Sequence, residues 1–245
     1  MDGVLIGSDL TLEWALPWWW KHYRKHNSHP VAFVDLGLTA EKKRWCKRRG
    51  PLIPLRVGDF TEEVAPEKAQ EWEEKTGKSF WESRGAWFKK PFACLKSPFD
   101  RTLWIDVDCE IRGSIIPLFE YASKSGGLAM AMEQLDFSRS YKAYNSGVIA
   151  FRQNHPLILQ WANTCLSLNT QFRADDDVFA YMLSEKGIEI DEIPPHYNWS
   201  RCLEENPHAI IQHWHGCHGK TVIKAQICRD DTYLLQKNLE DICHF

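Results

Sequence analysis

Arg101-Thr102-Leu103-Trp104-Ile105-Asp106-Val107-Asp108-Cys109-Glu110-Ile111 is a short apolar run that ends in two carboxylates one residue apart. The aliphatic and aromatic side chains from Leu103 to Ile105 predict a buried strand. Asp106 and Asp108 fall at its carboxyl end, where ligands sit on an open α/β sheet. Side chains at i and i+2 of an extended strand share a side. Two carboxylates held together repel unless a cation lies between them. Hard oxygen ligands select Mg²⁺ or Mn²⁺, and such ions recruit phosphate oxygens. The stretch predicts a metal-dependent enzyme acting on a diphosphate. Taken alone, an Asp-x-Asp reads more often as a solvated strand end, so the surroundings must carry the case.

The chain of 245 residues is 44% hydrophobic and 26% charged, which fits one α/β domain with additions. Its net charge of −3 gives no push toward nucleic acid or an anionic membrane. The start, Met1 to Gly7, lacks the basic and long apolar regions of a signal peptide. No apolar run approaches the ~18 residues of a membrane span, so no transmembrane segment is expected. The eight cysteines show no C-x-x-C spacing, which predicts free thiols and a cytoplasmic setting. A zinc site from Cys202, His213, His215, Cys217 or His218 matches no standard spacing. Twelve tryptophans are a heavy load, and indole faces suit both core packing and sugar stacking.

Outward from the carboxylates, strands and helices alternate. Val4 to Ser8 reads as a first strand ending at Asp9, with a helix over 12–23 that tolerates Pro17 in its first turns. Trp18-Trp19-Trp20 fits a helix packed on the sheet better than a membrane-surface patch. Val31 to Asp35 is a second strand, and Thr39 caps a basic helix over 40–49. Leu52 to Val57 is a short, Pro-interrupted edge strand. Residues 61–78 are acidic and read as an exposed helix or a flexible excursion, and a helix follows over 85–95. Past Asp108, strands are expected over 128–132, 147–151 and 188–190, and helices over 156–166 and from Asp175 to Lys186. No repeat or linker divides the chain, so 1–245 reads as a single domain with 223–245 as a closing helical segment.

Polar clusters stand where these strands end: Arg84-x-x-Trp87-x-Lys89-Lys90-Pro91, Asp106-Val107-Asp108, Asn145-Ser146-Gly147, Asp175-Asp176-Asp177, and His213-Trp214-His215-Gly216-Cys217-His218-Gly219-Lys220. Each alone has a plain structural explanation, such as a turn, a surface charge or an N-cap. Their order resembles that of the GT-A glycosyltransferases, and within them the retaining enzymes of glycosyltransferase family 8 and relatives. "KPFACLKSPFDRTLWIDVDCEIRGSIIPLF" resembles the family's Lys-Pro helix and metal-binding strand, and "YNSGVIAFRQNHPLILQW" its Asn-Ser-Gly strand. "DDDVFAYML" is similar to its Asp-Gln-Asp helix start, "HYNW" to its Tyr-Asn-Trp segment, and "IIQHWHGCHGK" to its His-x-x-Gly-x-x-Lys close.

The resemblance implies a Rossmann-like nucleotide-diphospho-sugar transferase domain, with a mostly parallel central sheet flanked by helices. It implies a nucleotide-sugar donor, a UDP-sugar, and a glycan, lipid or protein acceptor, with no nucleic acid partner. Asp106, Asp108 and His213 map onto the ligands of Mn²⁺ (or Mg²⁺), with His215 a competitor for the imidazole. Asp9, Arg84, Lys90, Asp106, Asn145, Ser146, Gly216 and Lys220 map onto donor binding. Asp175 and Asp176 map onto the catalytic pair, as donor-sugar contacts or as a nucleophile. The lysine of the closing motif should stand where Gly219 does, one residue before Lys220, and the family's Asp-Gln pair is Asp175-Asp176 here. Transfer with retention is the expected activity. A metal-dependent hydrolase of nucleotide sugars or phosphoesters, or a non-catalytic carbohydrate-binding protein, are the rival readings.

Overall fold

The structure, a computed structural model, describes residues 1–58, 60, 64–133 and 142–230. Strand β1 (Asp2–Ser8) leads through a 3₁₀ turn at Glu13–Ala15 into α1 (Leu16–His26). Then come β2 (Val31–Asp35), α2 (Ala40–Lys47), β3 (Leu52–Pro54), α3 (Pro66–Thr76) and α4 (Phe80–Cys94). The quoted stretch supplies β4 (Arg101–Ile105) and β5 (Cys109–Ile111), followed by α5 (Leu118–Ser123). The rest is β6 (Leu128–Met132), β7 (Tyr144–Arg152), α6 (Pro156–Leu168), α7 (Asp175–Lys186), β8 (Asp191–Glu192), β9 (Trp199–Ser200), β10 (Ile211–His213) and α8 (Gly216–Arg229).

Seven strands form one sheet in the order β3-β2-β1-β4-β7-β6-β8. All neighbours are parallel except β7, which runs antiparallel to both β4 and β6. The sheet is buried on both faces, and alternate side chains sort accordingly. Val4, Ile6, Leu103, Ile105, Val148 and Ala150 pack to one side. Leu5, Trp104, Ile149 and Phe151 pack to the other. The strand order reverses between β1 and β4, so a crevice opens at their carboxyl ends. A second, three-stranded sheet has the order β5-β10-β9, and β5 continues the chain from the end of β4.

Several local expectations hold for stated reasons. Trp18 and Trp19 are fully buried, so the tryptophan cluster is core and not a membrane patch. Pro17 sits in the first turn of α1. Thr39 caps α2: its Oγ1 accepts from Lys42 N at 3.2 Å and donates to Glu13 Oε1 at 2.7 Å. Thr39→Ala removes both bonds and is expected to cost about 1–2 kcal/mol, read as a shift in the urea midpoint.

Others move. Helix α4 begins at Phe80, five residues before Gly85, because the buried Phe80 ring stacks on Trp87 two turns on (6.5 Å between centroids) and carries the helix through a weak helix former. The strand expected over 188–190 lies at Asp191–Glu192, set by pairing with Ala129 and Met130. Most of the segment expected as a closing helix lies outside the described residues; α8 ends at Arg229. Cys46, Cys94, Cys109, Cys165, Cys202 and Cys217 are free, but Cys228 is disulfide-bonded, against the expectation of free thiols throughout. Spatial proximity decides pairing, and spacing does not reveal it. Among the described residues, no helix is long and apolar enough to cross a membrane.

Candidate active site

The site grows from the end of β4. The main chain of Asp106 still pairs with the sheet, its N–H donating to Gly147 O at 2.9 Å. The chain then turns, and Cys109 N donates back to Asp106 O at 3.0 Å. Asp106 and Asp108 therefore do not lie along one extended strand, and their carboxylates part. Asp106 Oδ1 accepts from Trp104 Nε1 at 2.6 Å, and Oδ2 from Lys90 Nζ at 3.0 Å. Asp108 turns toward β10 and α8 instead. Its Oδ1 lies 3.4 Å from His213 Nε2, and its Oδ2 pairs with Lys220 Nζ. Burial opposes the Asp108 charge, but Lys220 and His213 outweigh it and hold the carboxyl well below the usual range.

Antiparallel pairing of β5 and β10 explains why His213 arrives here. It stands opposite Cys109, one residue past Asp108. Gly147 makes room for the ring, since a Cβ there would collide with the imidazole. His215 instead precedes α8, with Nε2 2.8 Å from Ser200 Oγ, and burial lowers its pKa to about 3. Among the described residues, Asp108, Cys109 and His213 form the group whose ligand atoms converge within 4.8 Å. The Cys109 thiol faces Gly147 O, with Sγ 3.8 Å away, and burial followed by the charge of Asp108 keeps it protonated. A neutral thiol is a poor ligand for a hard cation. The His213 and His215 ring centroids are 5.1 Å apart, but among the described residues the cysteines and histidines weighed as a zinc set form no group of three or more converging ligand atoms. The shift of the expected lysine from Gly219 to Lys220 also has a local cause. A side chain at Gly219 would strike the backbone of Trp214, whereas Lys220 reaches Asp108.

Lys90 anchors a second cluster. Its buried ammonium donates to Ser146 Oγ at 2.8 Å and Ser146 O at 3.2 Å, and lies 3.7 Å from Asp175 Oδ2. Burial works against that charge, but Asp106 and Asp175 outweigh it and raise the pKa. Ser146 Oγ donates to Asp175 Oδ2 at 2.9 Å. Asp175 opens α7, and burial pushes its carboxyl up to about 6 against the pull of Lys90. Asp176, beside it, is raised well above its ordinary value by burial and then by Asp177 and Asp175.

Asp9 and Arg84 line a neighbouring cavity of about 250 Å³ with Phe60, Trp81 and Lys89. Asp9 caps the turn after β1, its Oδ1 accepting from Thr11 N and Leu12 N at 3.0 and 3.3 Å. Arg84 donates to the carbonyls of Asn169 and Phe172. Its guanidinium lies 4.4 Å from the Phe88 ring centroid, and burial lowers its pKa to about 10. It thus braces the turn that leads into α7. Asn145 lies on the β7 side of His213, and Gly216, with φ of 73°, starts α8 against the Arg201 guanidinium.

No family model matches the chain, and no curated protein matches it in sequence. Solved structures do. The galactosyltransferase LgtC, in complex with donor and acceptor sugar analogs, superposes with a TM-score of 0.59 over 99% of this chain and 95% of its own, at 12% identity. This is a GT-A fold. Mouse xyloside xylosyltransferase 1 shares it at a TM-score of 0.57 and 15% identity, over 87% of this chain and 97% of its own. The glycosyltransferase GlyE of Streptococcus pneumoniae matches at a TM-score of 0.57 and 13% identity, over 88% of this chain and 55% of its own. Within the GT-A fold of this chain, the residues that sequence reasoning passed over are Trp104, Cys109 and Asn198. Asn198 stood in the quoted "HYNW" segment, and Cys109 directly follows Asp108. Nothing in the pattern marked either as facing the site.

Proposed function

We propose that the chain is a divalent-metal-dependent glycosyltransferase that moves a sugar from a UDP-sugar to an acceptor hydroxyl with retention of configuration. The observation that carries this reading is the meeting of Asp108, His213 and Lys220 at the carboxyl end of β4, in the crevice of a GT-A fold. A carboxylate joined by an imidazole suits Mn²⁺ better than a harder ion such as Ca²⁺ or Mg²⁺, which take oxygen ligands. Their geometry fits a cation as well. His213 Nδ1 is engaged by Asn198 Oδ1 at 3.0 Å, which leaves Nε2 and Asp108 Oδ1 facing each other. Asp108 and His213 would hold the ion, and Asp106 would stand beside it. When bound, the ion supplies Lewis-acid neutralisation of the departing diphosphate.

The chain's own groups do the rest. Lys220, Lys90 and Arg84 supply fixed positive charge for the leaving diphosphate. Lys220 holds Asp108 before the donor arrives and is placed to transfer its ammonium to phosphate. Asp9 and the cavity beside it receive the nucleoside. Asn145, Ser146 and Gly216 line the path of the donor. Asp175 and Asp176 contact the donor sugar. Retention follows from reaction on one face, the acceptor proton passing to the leaving phosphate oxygen as the new glycosidic bond forms.

Calorimetry with UDP tests the reading. Binding is expected with Mn²⁺ and to weaken at least about tenfold without it, as loss of a metal bridge to phosphate requires. Equal binding with and without the ion contradicts metal dependence. A panel of nucleotide sugars then identifies the donor, and sugar release to water that no acceptor accelerates would favour a hydrolase.

A further inference from the structure

We propose that Asn198 is a positioning residue which, held by Asn145 and Glu133, keeps a proton on His213 Nδ1 and so leaves Nε2 as the nitrogen that meets Asp108 and the metal. The inference rests on the metal-dependent reading above and adds to it a hydrogen-bond relay that sets the ligand.

The relay can be oriented atom by atom. The Glu133 carboxylate only accepts. Asn145 Nδ2 donates to Glu133 Oε2 at 3.1 Å. Asn145 Oδ1 is thereby turned to accept, and it receives Gly147 N–H at 3.0 Å and Asn198 Nδ2 at 2.9 Å. Asn198 Nδ2 also lies 3.3 Å from the Asn145 carbonyl oxygen. With its amide nitrogen committed, Asn198 has only Oδ1 to offer His213 Nδ1, 3.0 Å away. Nδ1 must carry the proton. In the neutral ring Nε2 then holds a lone pair, and it lies 3.4 Å from Asp108 Oδ1. Nε2 and Asp108 Oδ1 face each other across a gap that suits one cation, a proton or a metal ion in its place. Free imidazole side chains prefer the proton on Nε2, so the relay selects the less common form. Asn198 and His213 are both buried, so no bulk water competes for either end. Groups behind a ligating histidine commonly set its tautomer and orientation in this way.

Nitrogen NMR of the full chain, labelled at histidine and free of metal, reads the tautomer. Calorimetry with MnCl₂ reads its consequence. The wild type is expected to show His213 protonated at Nδ1 with and without the ion, and Mn²⁺ to be met by Nε2. Asn198→Leu is expected to mix the tautomers and weaken Mn²⁺ binding about 10–100-fold. Asn198→Asp keeps an acceptor for Nδ1 but sets a carboxylate oxygen against the two Asn145 oxygens, and is expected to retain the Nδ1 proton while destabilising the relay. Should the leucine variant fail to fold, Glu133→Gln relaxes the same relay from its partly exposed end and is expected to loosen Mn²⁺ binding in the same direction. A bare Nδ1 in the wild type overturns the proposal, as do an unchanged tautomer and affinity in Asn198→Leu while His213→Ala abolishes Mn²⁺ binding. A wild type with the Nδ1–H tautomer that binds no Mn²⁺ overturns the metal-dependent reading, and with it the purpose assigned to the relay.

Discussion

Asp108→Asn is expected to lower kcat/KM for transfer by at least about 10³-fold and to abolish Mn²⁺ binding, with the fold retained. The size follows from what is lost. A Lewis acid at a departing diphosphate is worth several kcal/mol, and each 1.36 kcal/mol is a factor of ten. The amide keeps the shape of the carboxylate but not its charge, so it holds neither the ion nor Lys220. The metal-free protein should tolerate the change, because Lys220 is partly exposed and its ammonium can turn to water. The expected stability loss is about 1–3 kcal/mol, the range for a hydrogen bond to a charged group. Steady-state kinetics, MnCl₂ calorimetry and urea unfolding on the same preparation separate these effects. Turnover at the parent rate would remove the metal from the mechanism.

The stretch around Asp106 fixed the fold class from sequence for a reason that survives inspection. A strand buried on both faces must be apolar at every position, and its polar continuation must be an edge or an end. Leu103, Trp104 and Ile105 are all buried, and Asp106 lies just beyond. The same logic located β1, β2, β6 and β7, whose apolar runs alternate between two cores. What could not be read was direction after the strand ends. Periodicity put Asp106 and Asp108 on one side, but a turn sends one to Lys90 and the other to His213. Likewise His213 and His215 stand two residues apart with the same chemistry. Only the register of β10 against β5 places the first beside Asp108 and leaves the second at a helix start. Arg84 reads as a cation for phosphate, yet it also braces two carbonyls through an aromatic sleeve, and no local pattern marks a brace. Asn198 acts entirely through contacts with residues at least 15 positions away, beyond the reach of any motif.

Lys90→Met should make the largest stability change in the site, and one that depends on pH. Lys90 lies within 3.0 Å of Asp106 and 3.7 Å of Asp175. Methionine fills nearly the same space and leaves two carboxylates without their shared cation. Removing one partner of a buried ion pair typically costs about 3–5 kcal/mol, because the remaining charge stays desolvated. The sign of the pH dependence follows from linkage. Asp175 has a folded pKa of about 6, above its unfolded value. The folded state therefore binds more protons than the unfolded state between the two values, and stability falls as pH rises through that window. Without Lys90 the folded pKa climbs further, so the window extends upward through neutrality. The variant should lie about 3–5 kcal/mol below the parent near pH 8 and draw closer to it near pH 5, where a protonated Asp175 no longer needs the ammonium. Urea unfolding at the two pH values measures the gap. A gap of equal size at both would mean that Lys90 contributes packing and not charge. In that case the pairing of its ammonium with the two carboxylates would be offset by its desolvation, and the assignment of that ammonium to the leaving diphosphate would have to be tested by kinetics alone.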